Sequence, residues 1–104
     1  MDEWVDKYNP PLKKPMTRKF NENQILAKVG EYIGSTYSRH YAKSSIQATE
    51  FINACGLGEG FCLGNIIKYA QRFGKKGSGE KREEDLFKII HYAVILLHEL
   101  EQKK

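Results

Sequence analysis

The stretch Leu86-Phe87-Lys88-Ile89-Ile90-His91-Tyr92-Ala93-Val94-Ile95-Leu96-Leu97-His98-Glu99-Leu100 carries the longest apolar pattern in the chain. Leu86, Ile89, Ile90, Ala93, Leu96, Leu97 and Leu100 return at three- and four-residue steps, which is the period of one helix face. Glu83, Glu84 and Asp85 stand in or near its first turns, where the helix dipole favours carboxylates, and Lys103 and Lys104 close it. Upstream, beyond the linker Lys75-Lys76-Gly77-Ser78-Gly79, the same period recurs in Leu63, Ile66, Ile67, Ala70 and Phe73, ended by Gly74. A glycine-rich turn, Gly56-Leu57-Gly58-Glu59-Gly60, separates this from Ala48, Phe51, Ile52 and Cys55, opened by Ser44 with Gln47 as a capping box. A first helix runs from Asn21 through Ile25, Leu26, Val29, Tyr32 and Ile33 to a stop at Gly34.

These patterns predict an all-α fold: a compact bundle of about four helices, with no strand pattern and no internal repeat. Residues 1–20 hold all three prolines among lysines and arginine without an apolar period, and are expected to form an extended arm with Trp4, Tyr8 and Leu12 as anchors. Residues 21–104 form the single helical domain.

The chain has 104 residues, 40% hydrophobic and 29% charged, about the size of one domain. A 12.0 kDa chain folded alone leaves roughly 6,000 Å² exposed of about 17,400 Å² in the unfolded state. The core is thin, so the apolar face from Leu86 to Leu100 is expected to pack in a homo-oligomer. No stretch approaches the ~20 apolar residues of a membrane helix, and Asp2, Glu3 and Asp6 do not suit a signal peptide. A cytoplasmic location without membrane contact is the expectation. Cys55 and Cys62 suit neither a disulfide framework nor a four-ligand zinc site, and both read as small buried apolar residues.

The net charge of +4 is unevenly spread. Lys68, Arg72, Lys75, Lys76, Lys81 and Arg82 face only Glu80 within residues 68–82, so this segment alone carries +5. A local anion site follows. It is not a phosphate loop: ahead of Gly74-Lys75, Tyr69 stands where the first glycine belongs and Lys76 where the hydroxyl belongs. The Gly56–Gly60 run likewise lacks the dinucleotide spacing.

Asn65, Lys68, Tyr69 and Arg72 stand at i, i+3, i+4 and i+7 and share one polar helix face. Lys binds phosphate as a point charge and Arg forks onto two oxygens, while Asn and Tyr read a sugar or base edge. By composition alone a solvated face is the commoner meaning of such a stripe, by about two to one. Asp85, Lys88 and Tyr92 make a second polar stripe; Asp85 is placed to orient Arg72 or Lys68, to pair with Lys88, or to help hold a magnesium ion. His40-Tyr41 precedes the second helix, and His40 is a candidate for phosphate contact or proton transfer. His91 and His98 have no third ligand at metal spacing and are expected to be structural.

The ordered set His40-Tyr41, Gly64-Asn65-Ile66-Ile67-Lys68-Tyr69, Arg72, Gly74-Lys75-Lys76 and Asp85-Leu86-Phe87-Lys88 with Tyr92 resembles the small bacteriophage SaV-like or nucleotide kinase family, over about residues 38–100. His91 departs from it, since the family has an aromatic residue there, and the first helix lies upstream of the shared region. The resemblance favours a ligand-bearing face over a solvated one. It implies a deoxynucleoside monophosphate kinase acting on dTMP or dGMP without a Walker motif, working as an oligomer in the host cytoplasm. Lys68, Arg72, Lys75 and Lys76 would then hold the phosphates of donor and acceptor. Asn65 and Tyr69 would hold the nucleoside, with Lys88, Tyr92 and Tyr41 as further substrate-binding residues; Asp85 would orient the cations or a magnesium ion and His40 would contact phosphate or transfer a proton, with Mg²⁺ and a nucleoside triphosphate donor as cofactors. A different class remains open: a non-catalytic oligomeric sponge that sequesters a cyclic or other nucleotide signal of host immunity. Nucleic-acid binding through the basic loop and arm ranks last, because the basic residues form one compact cluster.

Overall fold

Asn21 enters the first helix from a left-handed backbone (φ 56°), and Glu22 Oε1 accepts the N–H of Phe20 at 3.1 Å. This is a computed structural model describing residues 18–41, 44–75 and 79–103, with the side chains of His40, Tyr41 and residues 44–47 outside the description. Its elements are α1 (Glu22–Thr36), a π-helical turn (Tyr37–Tyr41), α2 (Ser44–Ala54), α3 (Gly58–Arg72) and α4 (Gly79–Gln102). Among the described residues there is no strand, and no helix is long and apolar enough to cross a membrane. The expected arm, apart from residues 18–20, lies outside the described residues, as do Lys76 and the Ser44–Gln47 capping contact.

Gly34 does not end α1. It keeps helical geometry and α1 runs on into the π turn, where the hydroxyls of Ser35 and Thr36 donate back to the carbonyls of Tyr32 and Ile33 at 2.8 and 2.7 Å. The end of α2 is a true glycine stop. Gly56 takes φ 81°, its N–H reaches Asn53 O, and the Leu57 N–H reaches Ile52 O, the paired bonds of a Schellman motif. The glycine-rich turn is shorter than expected, because Gly58 and Gly60 already belong to α3. Gly58 is buried, and a Cβ there would run into the Asn53 side chain, so glycine permits the close approach of α2 and α3. Gly74 (φ 77°) ends the α3 segment as expected.

α3 and α4 run antiparallel as a tight hairpin, with Phe61 and Tyr69 both against Tyr92 and Arg72 on Asp85. α1 crosses α4 through the Tyr32–Phe87 ring pair (5.1 Å) and the Lys28–Glu83 ion pair (3.0 Å). Which faces turn inward differs from the sequence expectation. The buried apolar residues among those described are Val29, Cys62 and Tyr69, while Leu63, Ile67, Leu86, Leu97 and Leu100 are exposed. Within the hairpin the most buried side chains come from the polar stripes, Tyr69 and Asp85, while much of the apolar stripes stays exposed or half-buried. These polar groups partner one another: Arg72 with Asp85, and the half-buried Lys88 and exposed Lys68 with the Tyr69 ring. Phe51 and Cys55 are also exposed, against expectation; Cys55 lies past the last turn of α2. Cys62 is fully buried, as expected.

Candidate functional site: a cation-ringed tyrosine

Tyr69, one turn before the end of α3, is 9% exposed. Three cations converge on its ring: Lys68 Nζ at 4.6 Å, the Arg72 guanidinium at 4.7 Å and Lys88 Nζ, from α4, at 5.0 Å from the centroid. The negative face of an aromatic ring attracts cations, which gathers positive charge without neutralising it. Tyr92 stacks beside Tyr69 at 6.2 Å with 15° between the planes, and Phe61 meets Tyr92 edge-on at 5.8 Å.

The carboxylate bonded to this group is Asp85. Asp85, near the start of α4, is 2% exposed and accepts two bonds from Arg72 on a single oxygen: Nη2 to Oδ1 at 2.6 Å and Nε to Oδ1 at 3.2 Å. The hydrogen bond to Asp85 raises the Arg72 pKa, so the guanidinium is held firmly charged. Of the partners open to Asp85 in the sequence, the structure gives it Arg72. Lys68 and Lys88 have no carboxylate partner among the described residues.

Beside these cations lies a cavity of about 370 Å³, walled by Tyr32, Thr36, Phe61, Tyr69, Lys88 and Tyr92 among others. Burial raises the pKa of the Tyr32 and Tyr92 phenols, so both stay protonated and able to donate at neutral pH. Thr49, His91 and Ile95 form a wall shared with a wider groove of about 600 Å³, whose far side carries Glu50, Asn53, His98 and Glu99. Burial lowers the His91 pKa and keeps the ring neutral. The aromatic cavity therefore has one of the three cations, Lys88, in its wall, and the wider groove continues it toward hydrogen-bond acceptors.

Lys68, Tyr69, Arg72, Asp85, Lys88 and Tyr92 thus come together. Asn65 lies on the same side of α3, but its Nδ2 donates to Phe61 O at 2.9 Å within its own helix. Lys75 is exposed in the turn after α3. Lys76 and the side chains of His40 and Tyr41 lie outside the described residues. Tyr32 and Phe61 were not expected in the site. Tyr32 reads as core within an apolar stripe, while Phe61 falls four residues before Asn65 and eight before Tyr69, a spacing that does mark the same face. Among the described residues no group of three or more His, Cys, Asp or Glu is placed to hold a metal, and Asp85 is engaged with Arg72.

Residues 35–94, more than half of the chain, match the family DUF3310, described as a protein of unknown function. The chain is a member of the DUF3310 family. No curated protein and no solved structure matches it. The DUF3310 region begins in the last turn of α1 and ends within α4, so it contains Phe61 and the whole cation cluster, while Tyr32 lies just upstream.

Proposed function

We propose that this DUF3310 protein binds a nucleotide, with the phosphates on Lys68, Lys88 and Arg72 and the base or sugar in the adjoining aromatic cavity. The observation that carries the reading is the convergence of three cations within 5.0 Å of the Tyr69 ring, of which only Arg72 is bonded to a carboxylate among the described residues. The surplus positive charge suits a phosphate. The walls of Tyr32, Phe61, Tyr69 and Tyr92 suit a ring that stacks.

The resemblance to the phage SaV-like nucleotide kinases supports a deoxynucleoside monophosphate such as dTMP or dGMP as ligand, and adds phosphoryl transfer as the chemistry. In that reaction the three cations would neutralise charge on the transferring group, and magnesium would travel with the phosphates of the donor. Sequestration without turnover is the second reading, and one observation favours it. Asp85, the acid that the resemblance assigns to the reaction, is buried and bonded to Arg72, which is the placement of a positioning residue.

Calorimetric titration with deoxynucleoside monophosphates, triphosphates and cyclic dinucleotides, followed by thin-layer analysis of each mixture, separates the readings. Conversion of dTMP or dGMP to the diphosphate, lost in Lys68→Ala, establishes the kinase. Tight binding with all ligand recovered unchanged establishes sequestration. No binding of any of them overturns both.

A further inference from the structure

The wider groove holds polar groups that the cation cluster does not use. On α4, Lys88, His91, Tyr92, Ile95 and Glu99 stand at i, i+3, i+4, i+7 and i+11, so one helix face runs from the cations, past the wall shared by the two cavities, into the groove. Glu99 closes that face. It is half-buried, and among the described residues it has neither an ion pair nor a hydrogen bond. From α2, Asn53 lines the same groove. Its Oδ1 is buried and unbonded beside Gly58, which leaves Nδ2 as the open end of the amide. A carboxylate that lacks N–H donors and an amide N–H that lacks an acceptor therefore share one groove of about 600 Å³.

We infer that this groove reads the edge of the base and selects guanine, with Glu99 accepting the ring N1–H and the 2-amino N–H while Asn53 Nδ2 donates to O6. The inference rests on the nucleotide reading above and assigns the base within it. Three features single out guanine. First, it is the base that sets two N–H donors side by side on its pairing edge, next to an oxygen acceptor, and the two oxygens of one carboxylate match that pair. Thymine offers a single N–H between two carbonyls, and adenine and cytosine set their amino group beside a bare ring nitrogen; each turns a lone pair onto the carboxylate. Second, the span agrees. Lys88 and Glu99 are eleven residues apart, roughly 16 Å along α4. A purine nucleotide measures about 10 Å from phosphorus to pairing edge, and contacts of about 3 Å at either end make up the rest. A pyrimidine falls short. Third, His91 and Ile95 line both cavities between these ends, and burial keeps the His91 ring neutral, so the base passes the shared wall without meeting a charge. Glu50, also on the groove, is exposed and stands at its rim.

Calorimetric titration of the full chain with the deoxynucleoside monophosphates of guanine, hypoxanthine, thymine and adenine tests the assignment. The wild type is expected to bind the guanine nucleotide at least about tenfold more tightly than the thymine or adenine one, as a lost bidentate contact predicts. The hypoxanthine nucleotide, which lacks only the 2-amino group, is expected to bind about tenfold more weakly than the guanine one. Glu99→Gln is expected to bring guanine to within about threefold of thymine without weakening thymine, a change in selectivity that a merely structural residue would not produce. Glu50→Gln is expected to keep the wild-type order. The guanine–hypoxanthine comparison needs no substitution and so decides the base if a variant does not fold. Equal affinity for guanine and thymine, or for guanine and hypoxanthine, overturns the assignment while the nucleotide reading stands. So does a guanine preference that survives Glu99→Gln in protein with unchanged circular dichroism, or one that is lost in Glu50→Gln. Binding of none of the four nucleotides overturns both.

Discussion

Arg72, at the last turn of α3, and Asp85, near the start of α4, are thirteen residues apart in sequence and joined by two N–H bonds to one carboxylate oxygen. The pair closes the hairpin at its turn and holds the guanidinium over the Tyr69 ring. A buried charge pair costs desolvation, so its retention fits a role beyond stability. Asp85→Asn is expected to lower Tm by several degrees, because it leaves Arg72 without its charge partner. The double change Arg72→Met with Asp85→Leu is expected to recover most of that loss yet bind nucleotide at least tenfold more weakly. Thermal melts and calorimetry on the same samples check both; recovery of affinity together with Tm would leave the pair no part in the site.

Lys68 and Lys88 reach the Tyr69 ring from different helices and face no carboxylate among the described residues. Each charge-assisted bond to phosphate is expected to carry about tenfold in affinity. Lys68→Ala and Lys88→Ala should therefore each weaken nucleotide binding by about that factor, and binding should weaken as salt is raised. Lys81→Ala, which removes only a surface contact with Glu84, should bind as the wild type. Titrations at two ionic strengths measure all three.

Tyr69 is both wall and platform. Tyr69→Phe keeps the ring and its cations, so fold and affinity should change little. Tyr69→Ala empties a buried site and is expected to cost about 3–5 kcal/mol of stability, by analogy with other buried aromatic truncations. Chemical denaturation of the two variants checks the contrast.

Much of the fold was legible because it is local. The helical periods and the glycine stops at Gly56 and Gly74 follow from the conformational demands of single positions, and both stops take positive φ. The direction in which α3 and α4 face was not legible, since the rule that apolar stripes point inward assumes polar groups lack partners inside. Here Arg72 finds Asp85 and Lys88 finds Tyr69 across two helices, a relation no single-helix period contains. Gly34 misled because a glycine ends a helix only where the backbone turns left-handed, as Gly56 and Gly74 do and Gly34 does not. The motif residues Lys68, Tyr69, Arg72, Asp85, Lys88 and Tyr92 were named from sequence, whereas Tyr32 enters the site only through the packing of α1.

The two cysteines report on that packing. Cys62 is fully buried in the second turn of α3, and burial raises its thiol pKa, whereas Cys55 is exposed after α2. A thiol-reactive chromophore should label one cysteine quickly in native protein and the second only on unfolding. Peptide mapping should place the fast label on Cys55, and fast labelling of Cys62 would contradict the hairpin packing.

His91 gives the pH dependence its sign. It lies half-buried on the wall between the two cavities, and burial lowers its pKa from 6.5. A group whose folded pKa is depressed binds a proton more readily when unfolded, so the native state loses ground once pH drops low enough to charge the unfolded chain. Its contribution is fully present above about pH 6.5 and is lost as pH falls toward and through the folded value. Thermal melts between pH 7.5 and 5 should show the wild-type Tm falling more steeply than that of His91→Gln, with the curves converging in slope above pH 7. Parallel curves across the whole range would mean that His91 is solvated in solution and that the shared wall is open.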